Sequence, residues 1–185
     1  MSTELQYIEK VTKVKATTCS CDKCVNMCKT AVCTGTPLDI ARLILAGHTD
    51  KLDSTLWRAG RKYGYNGSID MIQLHFDEEK KQCCMLDENN LCTLHASGLK
   101  PIEGKMADCK IPYYTADQIP PLLIVARSWV VPENKPLIDL IELIFFADSF
   151  GFDLAKEMEL LQAFVSGIDT VDISGEVKAK FCPET

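Results

Sequence analysis

The 185-residue sequence has no run of about 18 or more apolar residues, the length a membrane-crossing helix requires. Its most apolar stretch, LIDLIELIFFADSF, is too short and carries three acids. The start, MSTELQYIEK, lacks the apolar core of a secretory signal. Positive charge is scarce: 20 Lys and Arg against 26 Asp and Glu leave a net charge of −6 and a pI near 5.1. That balance disfavours nucleic acid and anionic membrane surfaces as partners. Lys100, Lys105 and Lys110 are close in sequence but read as solvated loop lysines. Common catalytic signatures are missing too, with no G-x-S-x-G, G-x-G-x-x-G, P-loop or H-E-x-x-H pattern. Asp77, Glu78 and Glu79 read as a solvated turn, and Trp57 and Trp129 as core or interface residues.

Cysteine, by contrast, is abundant. Ten are present, unevenly placed: Cys19, Cys21, Cys24, Cys28 and Cys33, then Cys83, Cys84 and Cys92, then Cys109 and Cys182 singly. An even count admits a disulfide framework. A chain of this length with 46 % apolar residues builds a core without covalent staples, so reduced thiols in a reducing, cytoplasmic compartment are expected. Buried thiols pack as small hydrophobes, but the first five sit among Thr, Ser, Asp, Lys and Asn, where packing gives no reason for them. Thiolates are soft anionic donors for zinc and for iron–sulfur clusters.

The pattern along the chain predicts one helix-rich α+β domain over 1–185. A small β-hairpin and a cysteine-rich irregular face (cysteine region 19–114) pack on a helical core, with a helical carboxy-terminal part at 134–168. Residues 1–15 fit strand or helix. A helix begins at Thr36-Pro37, with Asp39 in its first turn, and stops at Gly47. A second is expected from about Asp50 to Gly60, burying Leu52 and Leu56, before a loop at YGYNGS. Residues 70–76 alternate as a strand. CCML-DENN-LCTL reads as a hairpin with Leu86 opposite Leu91. The proline-rich stretch 99–121 is expected to be irregular, and LLIVA and SWVV to be extended. Leu137, Leu140, Ile141, Ile144 and Phe145 form one helical stripe; Leu154, Met158, Leu161, Phe164 and Val165 form another.

Cys21-Asp-Lys-Cys24 is the Cys-x2-Cys spacing by which one backbone turn places two sulfurs on one metal. The surrounding βαβ pattern of a thioredoxin-type pair is absent. On a helix, Cys21, Cys24 and Cys28 lie within roughly 60° of one another; Cys33 joins them only if the chain bends first. In the expected hairpin register Cys83 and Cys92 share a sheet face while Cys84 points away into the core, and a one-residue slip reverses that choice. Cys109 follows a loop of proline and glycine able to approach a site. Cys182 reads as a stray thiol. His95, directly after the hairpin, reads as a surface group or a neighbour of the site; His48 and His75 read as structural.

In these residues the chain resembles the YkgJ-type cysteine-cluster proteins, a zinc- or iron-chelating family with a CxxCxxCC signature. CSCDKCVNMCKTAVC and the helix that follows it match the family's amino-terminal knot, and CCMLDENNLCTLHASGLKP matches its later segment, with Cys83 and Cys92 in family positions. Lys100-Pro101 stands where Arg-Pro is usual, and Cys109-Lys110 before Pro112 resembles the final Cys-Arg…Pro. The likeness covers about residues 19 to 114. The knot here is spaced Cys-x2-Cys-x3-Cys-x4-Cys and lacks the terminal Cys-Cys pair; Cys84 is extra. The resemblance implies a bound Zn2+ or an iron–sulfur centre, [4Fe–4S] if iron. The expected ligands are drawn from Cys21, Cys24, Cys28, Cys33, Cys83, Cys92 and Cys109. The alternatives are a redox or protein-modifying enzyme using that centre, and a metal-free interaction module.

Overall fold

The computed structural model describes residues 3–17, 21–58, 68–107, 115, 118–147 and 154–170. Cys19, Cys109, Cys182 and most of the YGYNGS loop lie outside them. The architecture is the expected helix-rich α+β, with seven α-helices and two small antiparallel sheets of two strands each among the described residues. The opening segment forms α1 (Thr3–Thr12), followed by α2 (Asp22–Cys28) and α3 (Pro37–Leu45).

The start of α3 is as the sequence predicts. The Thr36 hydroxyl accepts a hydrogen bond from the Asp39 amide, the Asp39 carboxylate accepts one from the Thr36 amide, and Pro37 opens the first turn. The helix ends before Gly47, whose φ of +82° suits glycine.

The expected helix at 50–60 is instead a short 3-10 turn (Thr49–Lys51) leading into β1 (Leu52–Arg58). This strand pairs antiparallel with β2 (Ser68–Leu74) along its whole length, from Leu52 opposite Leu74 to Arg58 opposite Ser68. The four-residue spacing of Leu52 and Leu56 fits a helix, but β2 pairs with the segment along its whole length, and tertiary pairing overrides the weak local preference. In β2, Ile69, Met71, Ile72 and Leu74 are all buried, so both faces are covered near its end.

The second sheet joins β3 (Phe76–Asp77) to β4 (Gln82–Cys83), with Cys83 opposite Phe76. The hairpin register also differs from expectation: Leu86 bridges Cys92, not Leu91. The Asp87 carboxylate accepts from the amides of Asn89 (2.9 Å) and Leu91 (2.8 Å), and the Asp87 amide donates to the Leu91 carbonyl, which closes a longer turn than four residues.

Two further corrections concern helices. A short α4 (Ile102–Met106) interrupts the stretch expected to be irregular. LLIVA and the start of SWVV, expected to be extended, lie in α5 (Pro121–Ser128) and the turn after it. Pro120-Pro121 supply the fixed φ of a helix start. A 3-10 turn (Pro132–Asn134) precedes α6 (Lys135–Phe145), and α7 (Leu154–Thr170) closes the chain's described part.

The core lies where α3, α6 and α7 pack on one another, with β2 against α3 and α4 against α5. Ile40, Leu43, Ile141 and Leu161 are completely enclosed there. Among the described residues no helix is long and apolar enough to cross a membrane.

Candidate metal centre

The thiols of interest sit where α2, the segment 31–36, α4 and the turn carrying Cys92 meet. The segment 31–36 is held by its neighbours at each step. Thr34 donates from its amide (2.7 Å) and its hydroxyl (2.6 Å) to one oxygen of Glu103 on α4. The Trp129 indole donates to the Gly35 carbonyl at 2.8 Å. Gly35 itself is compelled: a side chain there would come within 2.8 Å of the Asp39 Cβ. Asp39 is 2 % exposed. Besides capping α3, its carboxylate accepts from the Ile102 amide at 2.9 Å, so one buried charge satisfies the first turns of two helices. Buried without those donors it would be costly; with them it fixes α4 relative to α3.

This scaffold seats Cys33. Its sulfur lies over Gly104 of α4, where an added Cβ would stand 2.6 Å away. The sequence reading missed both Glu103 and Gly104. The only signal was the glycine itself, placed inside a helix where glycine costs about 1 kcal/mol unless something needs the space.

α2 supplies the opposing wall. Cys21 occupies its N-cap position, and Cys24 and Cys28 are one helical turn apart. The Cys21 and Cys24 sulfurs are 3.9 Å apart. Two thiolates each about 2.3 Å from a tetrahedral zinc stand about 3.8 Å apart, so this separation matches a metal-held pair. None of the α2 residues is buried. Between α2 and the turn lies a cavity of about 270 Å³. Cys24 and Cys28 line it from one side, Cys92 and His95 from the other, with Lys100 at its edge and apolar walls from Val25, Leu86 and Leu91.

Thiol contacts set the local acidities. The neighbouring Cys33 thiol lowers Cys28 to about 6; partial burial opposes the shift and the Lys100 charge assists it. The same neighbourhood raises Cys33 well above the ordinary thiol value, and burial and the Glu103 carboxylate push the same way. Cys83 and Cys84 repeat the pattern. Their proximity lowers Cys84 and raises Cys83, with burial adding to the rise of Cys83. Cys92 is raised by burial, and the charges of Cys28 and Cys83 add to it.

Cys24, Cys28 and Cys92 line one cavity, the Cys33 sulfur lies against Gly104, and Cys21 sits beside Cys24. Cys83 is 4 % exposed, deep in the core and beside Cys84. The Cys84 sulfur faces the Lys51 carbonyl at 3.5 Å, away from the cavity. Cys109 lies outside the described residues. Among the described residues, no three Cys, His, Asp or Glu side chains stand close enough together to grip a metal ion as they are. Three of the cysteines, Cys24, Cys28 and Cys92, face one space. No protein-family model, curated protein or solved structure matches the chain.

Proposed function

We propose that this chain is a metal-binding protein that holds zinc or an iron–sulfur cluster through cysteine thiolates gathered around the cavity between α2 and the Cys92 turn. The observation that carries this reading is that cysteines from stretches far apart in sequence, Cys24 and Cys28 on α2 and Cys92 on the turn, line the same space. The donor chemistry supports it: soft thiolates favour zinc and iron–sulfur centres, and the surroundings of Cys28 lower its thiol below the ordinary value.

Cys21, Cys24 and Cys28 would bind from α2, Cys33 from the fixed segment, and Cys92 from the turn. Zinc and [4Fe–4S] each take about four protein ligands, so these are enough. Cys83 and Cys109 stay in the candidate set on the family resemblance. A bound ion or cluster would link α2 to the turn and the fixed segment and would neutralise the thiolates. The chain's own part is to hold Cys33 in its seat and to wall off the site with Val25, Leu86 and Leu91.

Purification under anaerobic conditions with elemental analysis tests the reading. The expected result is about one zinc or about four iron per chain, falling in Cys24→Ser and unchanged in Cys182→Ser. A chain that carries neither metal when purified and takes up neither on reconstitution would overturn it in favour of a metal-free module.

A further inference from the structure

Lys100 reads from the sequence as a solvated loop lysine, yet the structure half-buries it at the edge of the cysteine cavity. The backbone fixes its place on both sides. The Lys100 amide donates to the carbonyl of the buried Leu94 at 3.2 Å. The next residue, Pro101, opens α4, and the Ile102 amide after it is held by the buried Asp39 carboxylate. From that joint the side chain runs over the bare Cα of Gly104. A Cβ added there would stand 2.8 Å from the Lys100 Cε and 2.6 Å from the Cys33 sulfur. The end of the lysine and the Cys33 sulfur therefore flank one point above α4.

Five other lysines end on carboxylates: Lys15 on Glu9, Lys51 on Asp50, Lys80 on Asp77, Lys81 on Glu78 and Lys135 on Asp139. Among the described residues Lys100 has no such partner. The Glu103 carboxylate on the same helix is engaged by Thr34. Sulfur surrounds Lys100 instead. Cys24, Cys28 and Cys92 line the cavity it borders, and Cys33 shares its seat over Gly104. Beside the larger effects of neighbouring thiols and burial, its charge draws Cys28, Cys33 and Cys92 alike towards the thiolate.

Four thiolates on Zn2+, or on a [4Fe–4S]2+ core, leave two negative charges uncompensated. In a partly enclosed, largely apolar space that excess is costly unless a cation stands near. We propose that Lys100 is a positioning residue of the thiolate centre: seated over Gly104, its ammonium compensates the excess negative charge from outside the ligand set and so determines how tightly the centre is held. The inference rests on the metal reading above. It adds that a group which does not ligate the metal decides the strength of the site.

The test compares full-length wild type with Lys100→Met, which keeps an unbranched side chain but no charge, and with Lys100→Arg, which keeps the charge. Each is loaded with Zn2+ alone under anaerobic conditions, and affinity is read by competition with a chromophoric chelator at low and high salt. Lys100→Met should bind about 10–100-fold more weakly, and Lys100→Arg should stay close to wild type. The gap between Lys100→Met and wild type should narrow at high salt, because screening acts on charge and not on packing. Melts of the metal-free proteins check folding, and Lys100→Gln repeats the comparison if Lys100→Met does not fold. If the chain takes a cluster, the variants are reconstituted with iron and sulfide instead. The Lys100→Met midpoint should then move to more negative potential, since reduction adds a negative charge to the centre.

Equal affinity and equal salt dependence in Lys100→Met and wild type, or an unmoved midpoint for a cluster, would overturn the inference and leave metal binding standing. Lys100→Arg weakened as far as Lys100→Met, with no dependence on salt, would overturn it by assigning the effect to packing. A wild type that takes up neither zinc nor a cluster removes the metal reading, and this inference with it.

Discussion

Two neighbouring helices, α2 and α3, stand on opposite footings. α3 buries seven of its nine residues, Pro37 to Ile44 except Arg42, and begins with a fully bonded cap. α2 buries none of its seven, has no side-chain cap bond, and leaves Met27 49 % exposed. Isolated helices this short are marginal in water, and most helical stability in proteins comes from packing an apolar face. α3 has that face. α2 instead turns Cys24 and Cys28 to the cavity, and Cys28 packs partly against the core.

The comparison can be broken most forcefully in the core. Ile40→Ala should cost about 2–5 kcal/mol by emptying a fully enclosed site, whereas Val25→Ala on α2 should stay within about 0.5 kcal/mol. Urea melts of the metal-free protein check both, and similar losses would show that α2 is packed as firmly as α3.

Metal removal should act in reverse. At a metal concentration near a hundredfold over the dissociation constant, binding adds about 2.7 kcal/mol. Stripping should therefore lower the melting temperature and speed hydrogen exchange in α2 while α3 amides keep their protection. Uniform loss across both helices would remove the distinction.

A smaller effect is expected at the seat between them. Gly104→Ala gains about 1 kcal/mol of helix propensity but forces the Cys33 sulfur aside. The net loss should be on the order of 1 kcal/mol, with lower metal content at equal protein concentration.

The weakest effect is one of pH. Burial raises the Glu103 carboxyl above its ordinary value of 4.5, against the two hydrogen bonds from Thr34. A raised folded value means that the fold holds this proton more tightly than the unfolded chain does. Its stabilising share is therefore complete below about pH 4.5 and is lost as pH rises through the folded value. Glu103→Gln should flatten that slope in chemical melts taken between acid and neutral pH.

The same contrast explains what could be read from the sequence. Thr36, Pro37 and Asp39 announce α3 because cap chemistry is local, and the α6 and α7 stripes announce themselves by period. β1 was misread because Leu52 and Leu56 fit a helix until β2 is there to pair with. α5 is hard to read because LLIVA is apolar on every side and Pro120-Pro121 fit an irregular stretch as well as a helix start. The hairpin slipped because Asp87 folds its own turn with a side chain, lengthening the loop. At the site, cysteine density pointed to the thiols, but the seat of Cys33 depends on Glu103, Gly104 and Trp129 arriving from elsewhere. No spacing rule connects them.

The Asp39 carboxylate, shared by the first turns of α3 and α4, carries a last consequence. It makes the floor under Cys33 continuous with the hydrophobic core, so that side of the cavity cannot give way without disturbing the whole fold. α2, with no buried residue and no side-chain cap bond, stands on the other side of the cavity. A change in the width of that space therefore meets a fixed floor on one side and a lightly packed helix on the other.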